Sequence, residues 1–208
     1  MNRPLLISDC DEVLLHMVSH FSDWIAEAHD LDLPLTEDRF DFTVRDRKSG
    51  EPVAQDRIWP LLDSFFDTEM HRQNIVPGAA EALAEVAKHA DIVILTNLGD
   101  EYRANRVEQL EAFDIRHEVL CNRGGKGQPV REVIDRMRPS VAVFVDDLAN
   151  HHESVASHAP EVWRLHMIAE PRLARHFPPA PEAHVRIDDW SEATNWILER
   201  FAAGRPAA

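Results

Sequence analysis

The sequence predicts an α/β protein with a doubly wound parallel sheet, interrupted after its first strand by a small, mostly helical insert. Three observations predict it. Short, almost wholly apolar runs such as Leu5-Leu6-Ile7, Ile92-Val93-Ile94-Leu95 and Val143-Phe144-Val145 have the composition of strands buried on both faces. From Pro77 onward such runs alternate with segments of helical periodicity, the pattern of a parallel sheet covered by helices. Between the first run and that alternation lies sequence dominated by helix-periodic segments.

Taken in order, Leu5 to Ser8 reads as a buried strand that ends in acids. Val18, Phe21, Trp24, Ile25 and Ala28 recur at helical spacing and predict an amphipathic helix from Met17 to His29. Phe40 to Val53 alternates weakly around Lys48-Ser49-Gly50-Glu51-Pro52, as a hairpin or a loop. A helix from Ile58 to Met70 carries the stripe Trp59, Leu62, Phe65 and Phe66, read with Trp24 as the insert's own core. Pro77-Gly78 starts a helix over Ala79 to His89. Strands are then expected at Asp91–Leu95, Glu118–Cys121, Val141–Val145 and Val162–His166. The expected helices are Glu101–Phe113, Gln128–Met137, His151–His158 with Asn150 as its cap, and Trp190–Phe201. The Ala/Gly/Pro tail is expected to fray. The division expected is a core of residues 1–15 and 76–208 and an insert of 16–75.

The balance of 22 basic against 37 acidic residues gives a formal charge of −15. That argues against nucleic acid or an anionic membrane as partner, though a local cation can still admit a small anionic substrate. Cys10 and Cys121 have no CxxC spacing, so neither a disulfide framework nor a zinc knuckle is indicated. No run approaches the ~20 apolar residues of a membrane span, and the first apolar run is too short for a signal peptide. A cytoplasmic location is the expectation.

Four stretches carry candidate chemistry: Asp9-Cys10-Asp11 after the first strand, Thr96-Asn97 after the second, Gly124-Gly125-Lys126-Gly127, and Asp146-Asp147. In open parallel sheets ligands sit beyond the carboxyl ends of strands, so the fold would bring these together. An acid pair, a hydroxyl, an amine and a second acid pair suit phosphoryl transfer. That chemistry needs a nucleophile, an acid/base, and positive charge on the phosphoryl oxygens. Taken singly, each has a blander reading. Asp9 and Asp11 could be solvated strand-end acids, Thr96-Asn97 a helix cap, and Lys126 a loop lysine. Asp146-Asp147 after an apolar strand is more specific, because two adjacent acids repel unless a cation lies nearby.

In this order, and with an insert after the first, the four motifs resemble those of the haloacid dehalogenase-like (HAD) superfamily, in its capped phosphatase branch. The resemblance covers nearly the whole chain and implies a Rossmann-like core with the insert as a cap, or lid, over the site. It implies Asp9 as nucleophile and metal ligand. Asp11 would be general acid/base, its backbone carbonyl also touching the metal. Thr96 and the amide of Asn97 would hold the phosphoryl group, and Lys126 would neutralise it. Asp146 would be a ligand of Mg²⁺, with Asp147 assisting. The activity implied is hydrolysis of a small phosphorylated metabolite. A phosphotransferase or mutase using the same intermediate, and a non-catalytic binding protein on the fold, are the alternatives. The chain departs from the pattern at Glu12 and Val145, where many members carry glycine. Asp11 argues against the dehalogenase branch, which lacks that acid.

Outside the motifs, His16 and His20 have i, i+4 spacing but no third ligand in register, so zinc is not indicated. Cys10 reads as a small buried residue. Arg45, Arg47 and Lys48, the insert's basic cluster, read as a solvated turn or as contacts to an anionic substrate.

Overall fold

The computed structural model describes residues 2–35 and 43–207. Six parallel strands, β1 (Leu5–Ser8), β4 (Asp91–Thr96), β5 (Glu118–Cys121), β6 (Ala142–Asp146), β7 (Trp163–His166) and β8 (Val185–Arg186), form one sheet. Their order is β5-β4-β1-β6-β7-β8. The chain builds outward from β1 through β4 to β5, then returns to the other side of β1 for β6, β7 and β8.

Alternation along the strands assigns the two faces. Leu6, Ile92, Ile94, Val143 and Val145 point to one face and pack with α3 (Ala79–Ala87), Leu110 of α4 (Arg103–Glu111) and α8 (Trp190–Ala203). Leu5, Ile7, Val93, Leu95 and Phe144 point to the other, against α5 (Gly127–Met137) and Val155 of α6 (Ala149–His158). The core is therefore a three-layer α/β/α sandwich, as the alternating pattern predicts. A third cluster, built on Phe21, Trp24, Ile25, Leu31, Val44 and Phe65, belongs to α1 (Val18–His29), α2 (Gln55–Thr68) and their connections. Between these helices β2 (Leu31–Asp32) pairs antiparallel with β3 (Arg45–Asp46). The segment around Lys48 is a hairpin, with Val53 N–H bonded to Val44 O at 2.8 Å and a bridge from Arg45 to Pro52. Residues 40–42 of that expected segment lie outside the described residues. No helix among the described residues is long and apolar enough to cross a membrane.

Four local expectations are corrected. The helix after Asp147 starts at Ala149, with Leu148 at the cap position and Asn150 inside it. Helix α4 is shorter than expected, because Asp100–Tyr102 winds as a separate 3₁₀ turn. The tail is tied down: Ala207 N–H bonds Glu161 O at 3.0 Å, and Trp163 Nε1–H bonds Arg205 O at 2.8 Å. Trp59 is not part of the insert's core but 64% exposed, because α2 turns one apolar edge toward the cleft beneath it. Three elements had no strong signal: the two-residue strands β2 and β8, and the one-turn α7 (Pro171–Ala174) that precedes β8.

Candidate active site

Because β4, β1 and β6 are neighbours and parallel, their carboxyl ends bring Thr96, Asp9 and Asp146 side by side. This is the point where the winding direction reverses, the usual ligand crevice of such sheets. Lys126 reaches the same point from the first turn of α5. It stands at that helix's cap position, not in an open loop. Gly127 makes the reach feasible. A Cβ there would meet Ser154 O of α6 at 2.1 Å, so only glycine lets the two helices approach this closely.

The Lys126 ammonium is fully buried and lies 2.7 Å from both Asp9 Oδ1 and Asp146 Oδ2. Burial pulls this ammonium down, but Asp146 and Asp9 outweigh it and hold the group above its ordinary value. Asp9 remains raised to about 7, chiefly by burial, with Lys126 opposing and Asp146 adding to the rise. Asp147, half-buried, is also raised well above the carboxylate range by desolvation and by Asp146 and Asp9. Asp9, Asp146 and Asp147 each offer a carboxylate oxygen within 4.8 Å of the others, and could hold a metal ion. One ammonium is too little positive charge to hold all three acids ionised, and their all-oxygen donor set suits a hard divalent cation. His16 and His20 fall outside this group; His20 Nε2 accepts from Asn74 N–H at 3.2 Å.

Thr96 is fully buried, and its Oγ1 has no hydrogen-bond partner. Neither it nor Asn97 caps a helix, since the following 3₁₀ turn begins after Gly99. Buried hydroxyls are rarely left unpaired, and Thr96, at the end of the strand next to β1, keeps a donor and an acceptor free. The Asn97 side chain ties the end of β4 to the Lys126 loop: its Nδ2 donates to Gly124 O at 2.9 Å, and its Oδ1 accepts from Asn122 at 2.9 Å.

Asp11 is separated from the three-acid group by a different set of partners. Both its oxygens accept from Arg106 Nη2 at 3.0 Å, and Oδ1 also accepts from Gln73 Nε2 at 2.8 Å. Arg106 is fully buried and also donates to Gln109 Oε1 at 3.0 Å. The sequence reading missed both Arg106 and Gln73. A signal existed: Arg106, Gln109, Leu110 and Phe113 share one helical face, so two polar residues stand in an apolar stripe.

Glu12 adopts a φ of +58°, the left-handed conformation that glycine enters without strain. Its carboxylate offsets that strain by accepting the amides of Met17 at 2.9 Å and Val18 at 2.7 Å, capping α1. Burial pushes Glu12 up to about 7. Cys10 is buried, and burial pushes its thiol up, so it is no nucleophile at neutral pH.

Two further histidines support the second acid pair. His166 Nδ1 accepts from Ala180 N–H at 3.1 Å, so its Nε2 carries the proton and donates to Asp147 O at 2.8 Å. His152 Nε2 lies 3.0 Å from Asp146 O, and burial pulls its imidazole down to about 4. Both are neutral braces on the peptides that carry the acids.

Above these groups opens a cavity of about 570 Å³, bordered by Asp9, Asp11, Asn97 and Asp147 at its floor. No protein-family model and no curated protein matches this sequence. Solved structures do match over nearly the full length. A haloacid dehalogenase-like family hydrolase from Xanthomonas campestris superposes with a TM-score of 0.60 at 15% identity, covering 98% of both chains. A haloacid dehalogenase-like family protein from Streptococcus pneumoniae gives 0.62 at 11% identity, covering 92% of this chain and 97% of that one. A predicted phosphoglycolate phosphatase from Haemophilus somnus gives 0.64 at 12% identity, with 92% and 96% covered. Likeness at these identities establishes architecture, and the architecture agrees with the resemblance carried by the four motifs: this chain has the haloacid dehalogenase-like fold.

Proposed function

We propose that this protein hydrolyses small phosphate monoesters through an aspartyl-phosphate on Asp9. The observation that carries the reading is Lys126 held 2.7 Å from both Asp9 and Asp146; the unpartnered hydroxyl of Thr96, at the end of the neighbouring strand β4, supports it. The fold, shared with structures described as phosphatases and hydrolases, supports it as analogy.

In this reading an Asp9 oxygen forms a bond to phosphorus as the ester oxygen leaves, and Asp11 gives that oxygen its proton. Asp11 Oδ2 accepts one of the Arg106 bonds and keeps a lone pair for this proton. Water then attacks phosphorus, the aspartyl bond breaks, and Asp11 takes the proton back. Lys126 and the Thr96 hydroxyl hold the phosphoryl oxygens, where charge changes most between ground and transition state. The oxygen set of Asp9, Asp146 and Asp147 fits Mg²⁺, with the Asp11 carbonyl as the resemblance implies. Such an ion would neutralise the charge that opposes an anion attacking an anion. Residues 16–75 would form the cap over the site.

The test is orthophosphate release from a panel of phosphorylated metabolites, with and without Mg²⁺, for wild type and Asp9→Asn. Mg²⁺-dependent release that disappears in the variant is expected. Full activity of Asp9→Asn would sink the covalent route. No release from any ester by folded wild type with Mg²⁺ would favour a transferase or a binding protein.

A further inference from the structure

The cavity above Asp9 has a composition that selects among phosphate esters. Its upper wall is one edge of α2, where Trp59, Leu62 and Phe66 stand at helical spacing; Tyr102, Leu148 and Phe177 face them from the core side. Trp59 is 64% and Leu148 44% exposed, the exposed large hydrophobic residues among those described. Both line the same opening. A large apolar surface left facing water beside a reaction site is the usual signature of a contact completed by a ligand. The volume falls within the roughly 300–1,000 Å³ of small-molecule pockets, well beyond what a phosphate group alone requires.

Charge narrows the occupant. The lining adds Asp63 from α2 and Glu12 to the acids of the floor. The cation among the described lining residues is Arg123, and its guanidinium is already bonded to Glu101 Oε1 at 2.7 Å. A leaving group bearing a carboxylate or a second phosphate would lie near Asp63, and among the described lining residues the cation that could receive it is Arg123, already paired with Glu101. A planar, uncharged group would instead find an indole, two phenyl rings and a phenol spaced around an apolar slot.

We propose that the α2 edge of the cavity is a leaving-group site for an uncharged aromatic alcohol, so that the favoured substrates are monophosphate esters with a flat apolar body. The assignment rests on the phosphatase reading and names the substrate class of that same site. Trp59 is the specificity-determining contact, and Asp63 excludes anionic leaving groups.

Two measurements test it together. The first is kcat/KM for 1-naphthyl phosphate against 2-phosphoglycolate in wild type, Trp59→Ala, Trp59→Phe and Asp63→Lys. Wild type is expected to prefer the naphthyl ester by at least about tenfold. Trp59→Ala should lose most of that preference, since an aromatic contact is worth up to about tenfold, and Trp59→Phe should retain most of it. Asp63→Lys should raise the relative rate on phosphoglycolate. The second is calorimetric binding of the same two esters to Asp9→Asn, which reads the pocket even if no ester is hydrolysed. Tighter naphthyl binding without turnover keeps the pocket assignment and removes the hydrolase. Equal or better use and binding of phosphoglycolate, or a preference that Trp59→Ala leaves intact, overturns the proposal. Trp59 is exposed, so its variants should fold, and circular dichroism confirms that they do.

Discussion

Replacing Arg106 with methionine keeps the reach of the side chain and removes its charge. In the folded protein Asp11 would then lose both guanidinium bonds at 3.0 Å, Gln109 Oε1 would lose its 3.0 Å donor, and Cys10 Sγ its 3.3 Å contact. Breaking a buried ion pair by removing one partner costs about 3–5 kcal/mol. Asp11 borders the cavity with 18% of its side chain exposed, so water recovers part of that, and the cost expected here is about 3 kcal/mol. For a chain of this size each kcal/mol is worth about 2–4 °C, giving a fall in Tm of about 6–12 °C. Urea unfolding of wild type, Arg106→Met, Asp11→Asn and the double variant completes the assay. If the bond network is as drawn, the two single changes are non-additive by about 1–3 kcal/mol. A loss under ~0.5 kcal/mol for Arg106→Met, or additivity within ~0.5 kcal/mol, would refute the reasoning.

Two other perturbations separate stability from chemistry. Thr96→Val removes a buried hydroxyl that has no partner, so stability should be unchanged or rise by about 1 kcal/mol. Turnover should fall by about 10²-fold if that hydroxyl holds a phosphoryl oxygen; an unaltered kcat/KM would free Thr96 of that role. His152 is lowered from 6.5 to about 4 on folding. Between those values the unfolded chain binds a proton there that the folded chain does not, so stability falls as pH drops through this window. The shift corresponds to about 3 kcal/mol at most. The difference between wild type and His152→Gln in urea, measured at pH 7.5 and at pH 4.5, isolates it from the carboxylates. A difference that does not change with pH would show that His152 titrates normally.

The sheet was legible because strands buried on both faces leave long apolar runs between periodic helices, and β1, β4 and β6 are of that kind. Strand β8 was not, since two residues at an edge carry too little pattern to stand out from a loop. The expected cluster was legible from residue type at strand ends, and the structure brings Asp9, Thr96, Lys126, Asp146 and Asp147 to one place. Its supports were not. Arg106 lies 95 positions from Asp11, and His166 lies 19 from Asp147, and no local rule connects such pairs. Trp59 was misjudged for a different reason. Helix α2 has apolar residues on two adjacent edges: Ile58, Leu61 and Phe65 pack with the insert's cluster, Trp59 lies along the cavity, and Leu62 and Phe66 touch both. Periodicity finds that a helix is amphipathic, not which of two neighbouring edges has a partner.

The two chain crossings between α1–α2 and the sheet both run past Asp11. On the outgoing crossing, Glu12 grips the first amides of α1, and His16 N–H bonds Asn74 O at 2.9 Å on the returning one. On that return, Gln73 bonds Asp11 itself, and Met70 O accepts from Gln109, a neighbour of Arg106 on α4. Both crossings are therefore made of peptides and side chains whose bonds converge on Asp11 and its neighbours. The bonds that fix the entry to and the exit from the helical pair are thus the ones that orient Asp11, so the position of α1 and α2 and the aim of that carboxylate are set by one hydrogen-bond network.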